Sequence, residues 1–167
     1  MDLRYKRTEL VLHRCFAELL TDYPFSKLTV RQITQQALIN RNTFYLHYKD
    51  KYELLLEFIK SGLTETQVEV TELLESPFKY IASIADYPIM KIIIFQKDDL
   101  QFINVLTDTF FSLALTQTQE IPRIFLTFGK ITAIFKWVEI TKQDLDFFKD
   151  YKQLDQIFKS DTFEFNK

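Results

Sequence analysis

Between residues 3 and 20 the apolar positions Leu3, Leu10, Val11, Cys15, Phe16, Leu19 and Leu20 recur mostly at spacings of three and four. That is the period of one helix face, and Asp22 to Pro24 ends it. The opposite face carries Arg4, Lys6, Arg7 and Arg14. Thr29 then stands as an N-cap, with Gln32 placed for a capping box and Leu28 and Ile33 for a hydrophobic staple, so a helix is predicted from about Val30 to Ala37. Asn40, with Ile39 and Phe44 as its staple pair, and Asp50, with Glu53 three residues on, repeat the arrangement. Helices therefore begin near 30, 41 and 51. Only residues 38–40 separate the second from the third, which forces a sharp angle of the helix-turn-helix kind. The third helix, about two turns long, is marginal in water by itself. Packing of Ile39 and Phe44 against Ile33, Ala37 and the first helix must hold it, which leaves its remaining face turned outward.

Beyond Asp50 the pattern continues through Leu54, Leu55, Phe58 and Ile59, past Gly62 towards Leu73 and Leu74, and Pro77 closes it. A short segment, Phe78 to Tyr87, precedes a second break at Pro88. An apolar helix follows from about Asp98 to Leu115, and another from about Pro122 to Glu139. Thr141, with Asp144 three residues on and Ile140 and Leu145 as a staple, predicts a last helix running to about Lys159. Two Gly and four Pro are too few for the tight turns of an all-β chain. The expected fold is all-α: a three-helix helix-turn-helix head over residues 1–50 and a helical regulatory and dimerisation body over 51–167.

Composition sharpens this picture in three ways. Seventeen Phe, eight Tyr and one Trp supply ring area for a large core, an apolar pocket or a subunit interface. Charge is uneven: residues 1–60 hold ten Lys/Arg against seven Asp/Glu, whereas the rest is acidic, giving −2 for the whole. A mildly basic head on an acidic body suits local phosphate binding. The lone Cys15 sits on the apolar face of the first helix, as a buried thiol would, and excludes an internal disulfide. No signal-peptide pattern opens the chain. The apolar runs "IMKIII" and "LTFGKITAIF" are too short to span a bilayer. A cytoplasmic protein without a membrane anchor is expected. Two His and one Cys make no zinc site. His47 lacks a nucleophile or carboxylate constellation that would make it a catalytic base, and no Gly-rich phosphate loop occurs, so neither enzymatic activity nor a cofactor is expected.

The outward face of the third helix carries Arg41, Asn42, Thr43, Tyr45 and His47. In a major groove Arg pairs with guanine acceptors and Asn with adenine, while Tyr, His and Lys more often reach the backbone. The first turn of such a helix, here Arg41 to Thr43, is the part that enters the groove. The stretch "TVRQITQQALINRNTFYLHYKDKYELL" resembles the DNA-binding domain of the TetR family of transcriptional regulators over about residues 5–60. Thr43, Phe44, Tyr45, His47, Tyr48, Lys51, Leu54 and Leu55 stand in register with the family pattern. Leu38 departs from it where Gly is usual, and Asn42 where a small residue is common. The resemblance implies base contacts for Arg31, Arg41, Asn42, Thr43 and Leu46, and phosphate contacts for Thr29, Tyr45, His47 and Lys51.

In the body, Phe125, Ile131, Ile134, Phe135 and Trp137 on one late helix face Leu145, Phe148, Tyr151, Leu154 and Phe158 on the next. They form either an internal core or, as the expectation has it, an intersubunit four-helix bundle. The resemblance further implies a ligand pocket in the body. Candidate liners are Phe58, Leu63, Phe78, Ile81 and Ile84, then Phe95, Phe102, Leu106, Phe110 and Phe128, each of which also reads as core. The function implied is that of a dimeric regulator, a repressor bound to a near-palindromic double-stranded operator and released by a small apolar ligand. The alternative is a DNA-bound co-activator or helical interaction module whose body binds a protein partner.

Overall fold

The computed structural model describes residues 3–67 and 69–162, and among them it contains helices and no strand. They are α1 (Leu3–Asp22), α2 (Val30–Gln36), α3 (Arg41–His47), α4 (Lys51–Glu65), α5 (Val70–Glu75), α6 (Pro77–Ser83), α7 (Pro88–Phe95), α8 (Leu100–Gln117), α9 (Ile121–Thr141) and α10 (Tyr151–Ser160), with a 3-10 turn at Phe25–Lys27. The all-α expectation holds. These helices pack as two compact units. One joins the described residues up to Thr66 to Tyr87–Phe110; the other joins Gln67–Asp86 to the described residues from Phe111 onward.

In the first unit the three helix starts read from sequence are where the caps put them. Thr29 Oγ1 accepts the Gln32 N–H while Gln32 Oε1 accepts the Thr29 N–H, a complete capping box. Asn40 Oδ1 accepts the Asn42 N–H at 2.8 Å. Asp50 Oδ1 accepts from both Tyr52 and Glu53. Glu53 does not return to Asp50; its carboxylate accepts the Lys49 N–H instead. The α2–α3 turn closes as a Schellman motif, with Leu38 N–H on the Gln35 carbonyl and Ile39 N–H on the Thr34 carbonyl. Its left-handed residue is Leu38, at φ 54°. The core beneath is aromatic: Phe16, Phe25 and Phe44 are fully buried, and Phe16 meets Phe25 and Phe58 edge-on. α7 completes it. A Cβ on Gly62 of α4 would stand 2.9 Å from Ile89 Cγ1, so α4 and α7 approach as closely as glycine allows.

Three boundaries differ from expectation. The long helix from Lys51 ends at Glu65, and Gln67 adopts φ 50° before α5 starts afresh. α7 was not foreseen, because its "PIMKIII" run is short and apolar but for exposed Lys91, too little polar pattern to mark a helix period. Thr141 ends α9 rather than opening a helix: its hydroxyl donates to the Trp137 carbonyl, and Ile140 stands 75% exposed instead of stapling. The cap of α10 lies later, after turns in which Asp146 accepts from Phe148 and Lys149.

The second unit is built on Phe78, Ile134, Val138, Leu154 and Phe158, with Ile81, Phe135, Trp137, Leu145 and Tyr151 packed around them. Buried Asp155 of α10 accepts the N–H groups of Phe78 and Lys79 at 2.9 and 3.0 Å, satisfying the open start of α6. The α9–α10 residues expected at an intersubunit bundle thus contribute to a core within one chain. Ile131, Ile134, Leu154 and Phe158 are buried inside one chain, Phe135, Trp137, Leu145 and Tyr151 pack on that core, and Phe148 is half-buried. Of the expected interface set, Phe125 remains exposed.

Candidate nucleic-acid interface

α3 is seated from below and open above. Phe44 and Tyr48 point inward, 0% and 4% exposed, with rings 5.9 Å apart. Tyr48 Oη and His13 Nε2 share a hydrogen bond of 3.1 Å, which ties the end of α3 to α1. Burial raises the Tyr48 hydroxyl's pKa, so it stays protonated. Outward, Arg41, Asn42, Tyr45 and Leu46 are exposed on one side, with Thr43 half-buried beside them. Arg41 Nη2 donates to Tyr45 Oη one turn along at 3.4 Å, which orients the guanidinium along the helix. Thr29 at the start of α2 and Arg31 within it are exposed as well. The residues read from sequence as base contacts thus lie exposed, or half-exposed for Thr43, on the two helices of a helix-turn-helix.

Two of the expected phosphate contacts sit differently. Lys51 is turned inward: Nζ donates to the carbonyls of Phe25 and Leu28 at 3.0 Å and of Ser26 at 3.4 Å, and lies 4.4 Å over the Phe25 ring. A lysine has three donors and all three are occupied, so Lys51 here holds the α1–α2 turn, and the expected phosphate contact would require it to leave these carbonyls. Burial lowers its pKa, with Asp99 opposing. His47 stacks on Tyr5 of α1, centroids 3.9 Å apart, and its Nδ1 is buried without a hydrogen-bond partner among the described residues. Desolvation lowers its pKa against the pull of Glu9, so at neutral pH it offers an N–H rather than a positive charge.

Sequence reasoning missed Tyr5 and Lys49. The Tyr5 stack sets the first turn of α1, with exposed Arg4, Lys6 and Arg7, beside the end of α3. Lys49 is exposed immediately after α3. Its position two residues past the helix was a usable signal; the stack, between residues 42 apart, was not. Cys15 is buried, its thiol 3.5 Å from the Gln36 carbonyl. Among the described residues no group of three or more His, Cys, Asp or Glu could hold a metal ion, and no helix is long and apolar enough to cross a membrane.

The pocket candidates divide between the units. In the first, Leu63 and Phe102 are buried and Phe58 packs on Phe16 and His13; Leu106 and Phe110 are half-buried and Phe95 is exposed. In the second, Phe78 and Ile84 are buried, Ile81 packs on Phe78, and Phe128 lies against Phe111. Phe78 and Phe102 are fully buried and serve as core. Clefts at the second unit's surface are lined instead by polar groups, such as Gln143, Gln153, Gln156 and Ser160 around Trp137.

A short capped helix held at a sharp angle, with Arg, Asn and Thr in its first turn and basic side chains around it, defines a helix-turn-helix protein of the nucleic-acid-binding class. Residues 17–58, which span the helix-turn-helix, match the family model of bacterial regulatory proteins, tetR family. It is 35% identical over 66 residues to an uncharacterized HTH-type transcriptional regulator of Bacillus subtilis (strain 168), YxbF. That match covers 39% of this chain and only 17% of the relative's length. No solved structure matches the chain.

Proposed function

We propose that this protein is a sequence-specific, operator-binding transcriptional regulator that acts as a homodimeric repressor. The observation that carries the reading is the exposed first turn of α3, with Arg41, Asn42 and Thr43 on a helix clamped from behind by Phe44 and Tyr48. Arg41 and Asn42 read base edges, together with Thr43, Leu46 and, from α2, Arg31. Thr29, Tyr45, the His47 N–H and Lys49 hold phosphates, and the basic side of α1 adds to them. A two-fold dimer then places two recognition helices about one DNA turn apart, roughly 34–36 Å, and favours a near-palindromic site.

Fluorescence anisotropy on a duplex selected by the wild-type protein from a random pool tests this. Arg41→Ala is expected to cost about 1–3 kcal/mol and relax one base position, while Lys49→Ala weakens all sequences alike and lowers the salt slope by about one. Wild-type protein that selects no duplex refutes the reading.

Dimerisation is assigned to the outer side of α9, where Ile121, Phe125 and Leu126 are exposed and Gly129 leaves open space beside the helix. Phe125→Glu should convert the sedimentation of a dimer to that of a monomer and weaken operator binding with it; a dimer unchanged by the substitution places the interface elsewhere. The second reading, a body that binds a protein partner, is favoured over release by an apolar ligand by one observation. Phe78 and Phe102 are spent on cores and the second unit's surface clefts are polar. Pull-down with the full chain, followed by stoichiometry of any captured protein, separates the two.

A further inference from the structure

The α1–α2 connection makes few hydrogen bonds of its own. Between Tyr23 and Leu28 they are Tyr23 N–H to Leu19, Lys27 N–H to Pro24 and Leu28 N–H to Phe25. Backbone groups of Tyr23, Phe25, Ser26 and Leu28 are bonded by side chains from elsewhere in the first unit. Gln96, 1% exposed at the end of α7, uses its whole amide on this turn. Oε1 accepts the Phe25 N–H at 2.9 Å, and Nε2 donates to the carbonyls of Leu20 at 2.7 Å and Tyr23 at 2.8 Å. Three residues on, Asp99 caps α8 with one oxygen, which accepts from Gln101 and Phe102, and uses the other to accept the Ser26 N–H at 2.7 Å. Lys51 covers three carbonyls of the same turn, and Tyr52 Oη donates to Gln101 Oε1 at 2.9 Å. Burial alone would raise the Asp99 carboxyl's pKa; the bonds from Ser26, Phe102 and Gln101 outweigh it and hold the group ionised.

This clamp sits where direction matters. The residue after the turn is Thr29, the cap of α2, and α2 is locked to α3 by the Schellman turn. A rotation of the turn is therefore passed to both helices of the candidate interface. We infer that Gln96 and Asp99, which lie outside the helix-turn-helix, are positioning residues for DNA recognition: the α7–α8 corner grips the α1–α2 turn and fixes the angle at which α2 and α3 meet DNA. The inference rests on the DNA-binding reading above.

The test uses the full chain and a duplex selected by wild-type protein from a random-sequence pool. Gln96→Met keeps the buried shape and removes all three bonds; Asp99→Asn is isosteric and weakens the bond to Ser26. Asp155→Asn, which loosens α6 in the other unit, serves as the control for general destabilisation. Affinity for the selected duplex should fall at least about tenfold in Gln96→Met, with a smaller salt slope as phosphate contacts are lost. Amide exchange should rise at residues 20–29, well below the melting temperature. Asp155→Asn should keep affinity and slope even where its melting temperature drops as far. The inference is overturned if Gln96→Met and Asp99→Asn bind as wild type, or lose affinity only as the control does at equal melting temperature. Should Gln96→Met not fold, Asp99→Asn decides alone. Wild-type protein that selects no duplex overturns the DNA-binding reading and the inference with it, a result distinct from a binding wild type with equally binding variants.

Discussion

At Leu38 an isobutyl side chain stands 92% exposed on a backbone at φ 54°. An L-residue in the left-handed region costs about 1–2 kcal/mol through the clash of its Cβ with the following carbonyl, and here no burial offsets it. Leu38→Gly should raise unfolding stability by about 0.5–1 kcal/mol, the strain relieved exceeding the added freedom of the unfolded chain. Urea titration checks the sign, and a loss of stability would mean that the side chain makes a contact in solution. The residues of α3 were legible because each answers to a neighbour within four positions: the cap Asn40, the buried Phe44, the exposed Arg41 and Asn42. The inward turn of Lys51 was not legible because a lysine following a recognition helix looks alike whether it faces phosphate or a ring of carbonyls. The carbonyls that take it belong to residues 23 to 26 positions away. Gln96 was invisible for the same reason, since its partners lie 71 to 76 positions away and nothing local marks a glutamine as buried.

Strong caps located their helices to the residue; among the uncapped ones only α9, long and opened by Pro122, was foreseen near its observed bounds. α2, α3 and α4 open on side-chain caps that bond within three residues; α5, α6, α7 and α10 have no such bond at their starts. The pattern Ile140, Thr141, Asp144, Leu145 imitates a cap with its staple, yet α9 prefers to continue to Thr141 and stop on left-handed Lys142, whose neighbour Gln143 donates back to Val138. Glycine marks the contrast between two long helices. At Gly62 an added methyl meets Ile89 of α7, so Gly62→Ala should cost about 1–3 kcal/mol through overpacking. At Gly129 nothing lies within 4 Å, so Gly129→Ala should stabilise α9 in a monomer by about 1 kcal/mol through helix propensity. Chemical unfolding of both variants is the check, and equal responses would refute the close α4–α7 approach.

Both histidines of the chain lie in the first unit, against α1 and the end of α3. Burial lowers the pKa of His13 from 6.5, with Glu9, Glu57 and Glu65 opposing, and desolvation lowers that of His47. A lowered folded-state pKa means that the unfolded chain takes up protons first as pH falls. The stability linked to these neutral rings is therefore complete above about pH 6.5 and is lost as pH falls through the folded values. The urea midpoint should fall between about pH 7.5 and about pH 5.5, and less steeply in His13→Gln. An equal slope in that variant would remove His13 as a cause. The pairing of Tyr87–Phe110 with the residues up to Thr66 has a consequence for anyone who treats the head as an exchangeable cassette. A chimera that grafts this head alone onto another body would leave the acceptors and donors of the α1–α2 turn facing whatever side chains the new body happens to supply. Recombination can move this reading head only if it also carries a stretch of chain that begins some twenty residues further along.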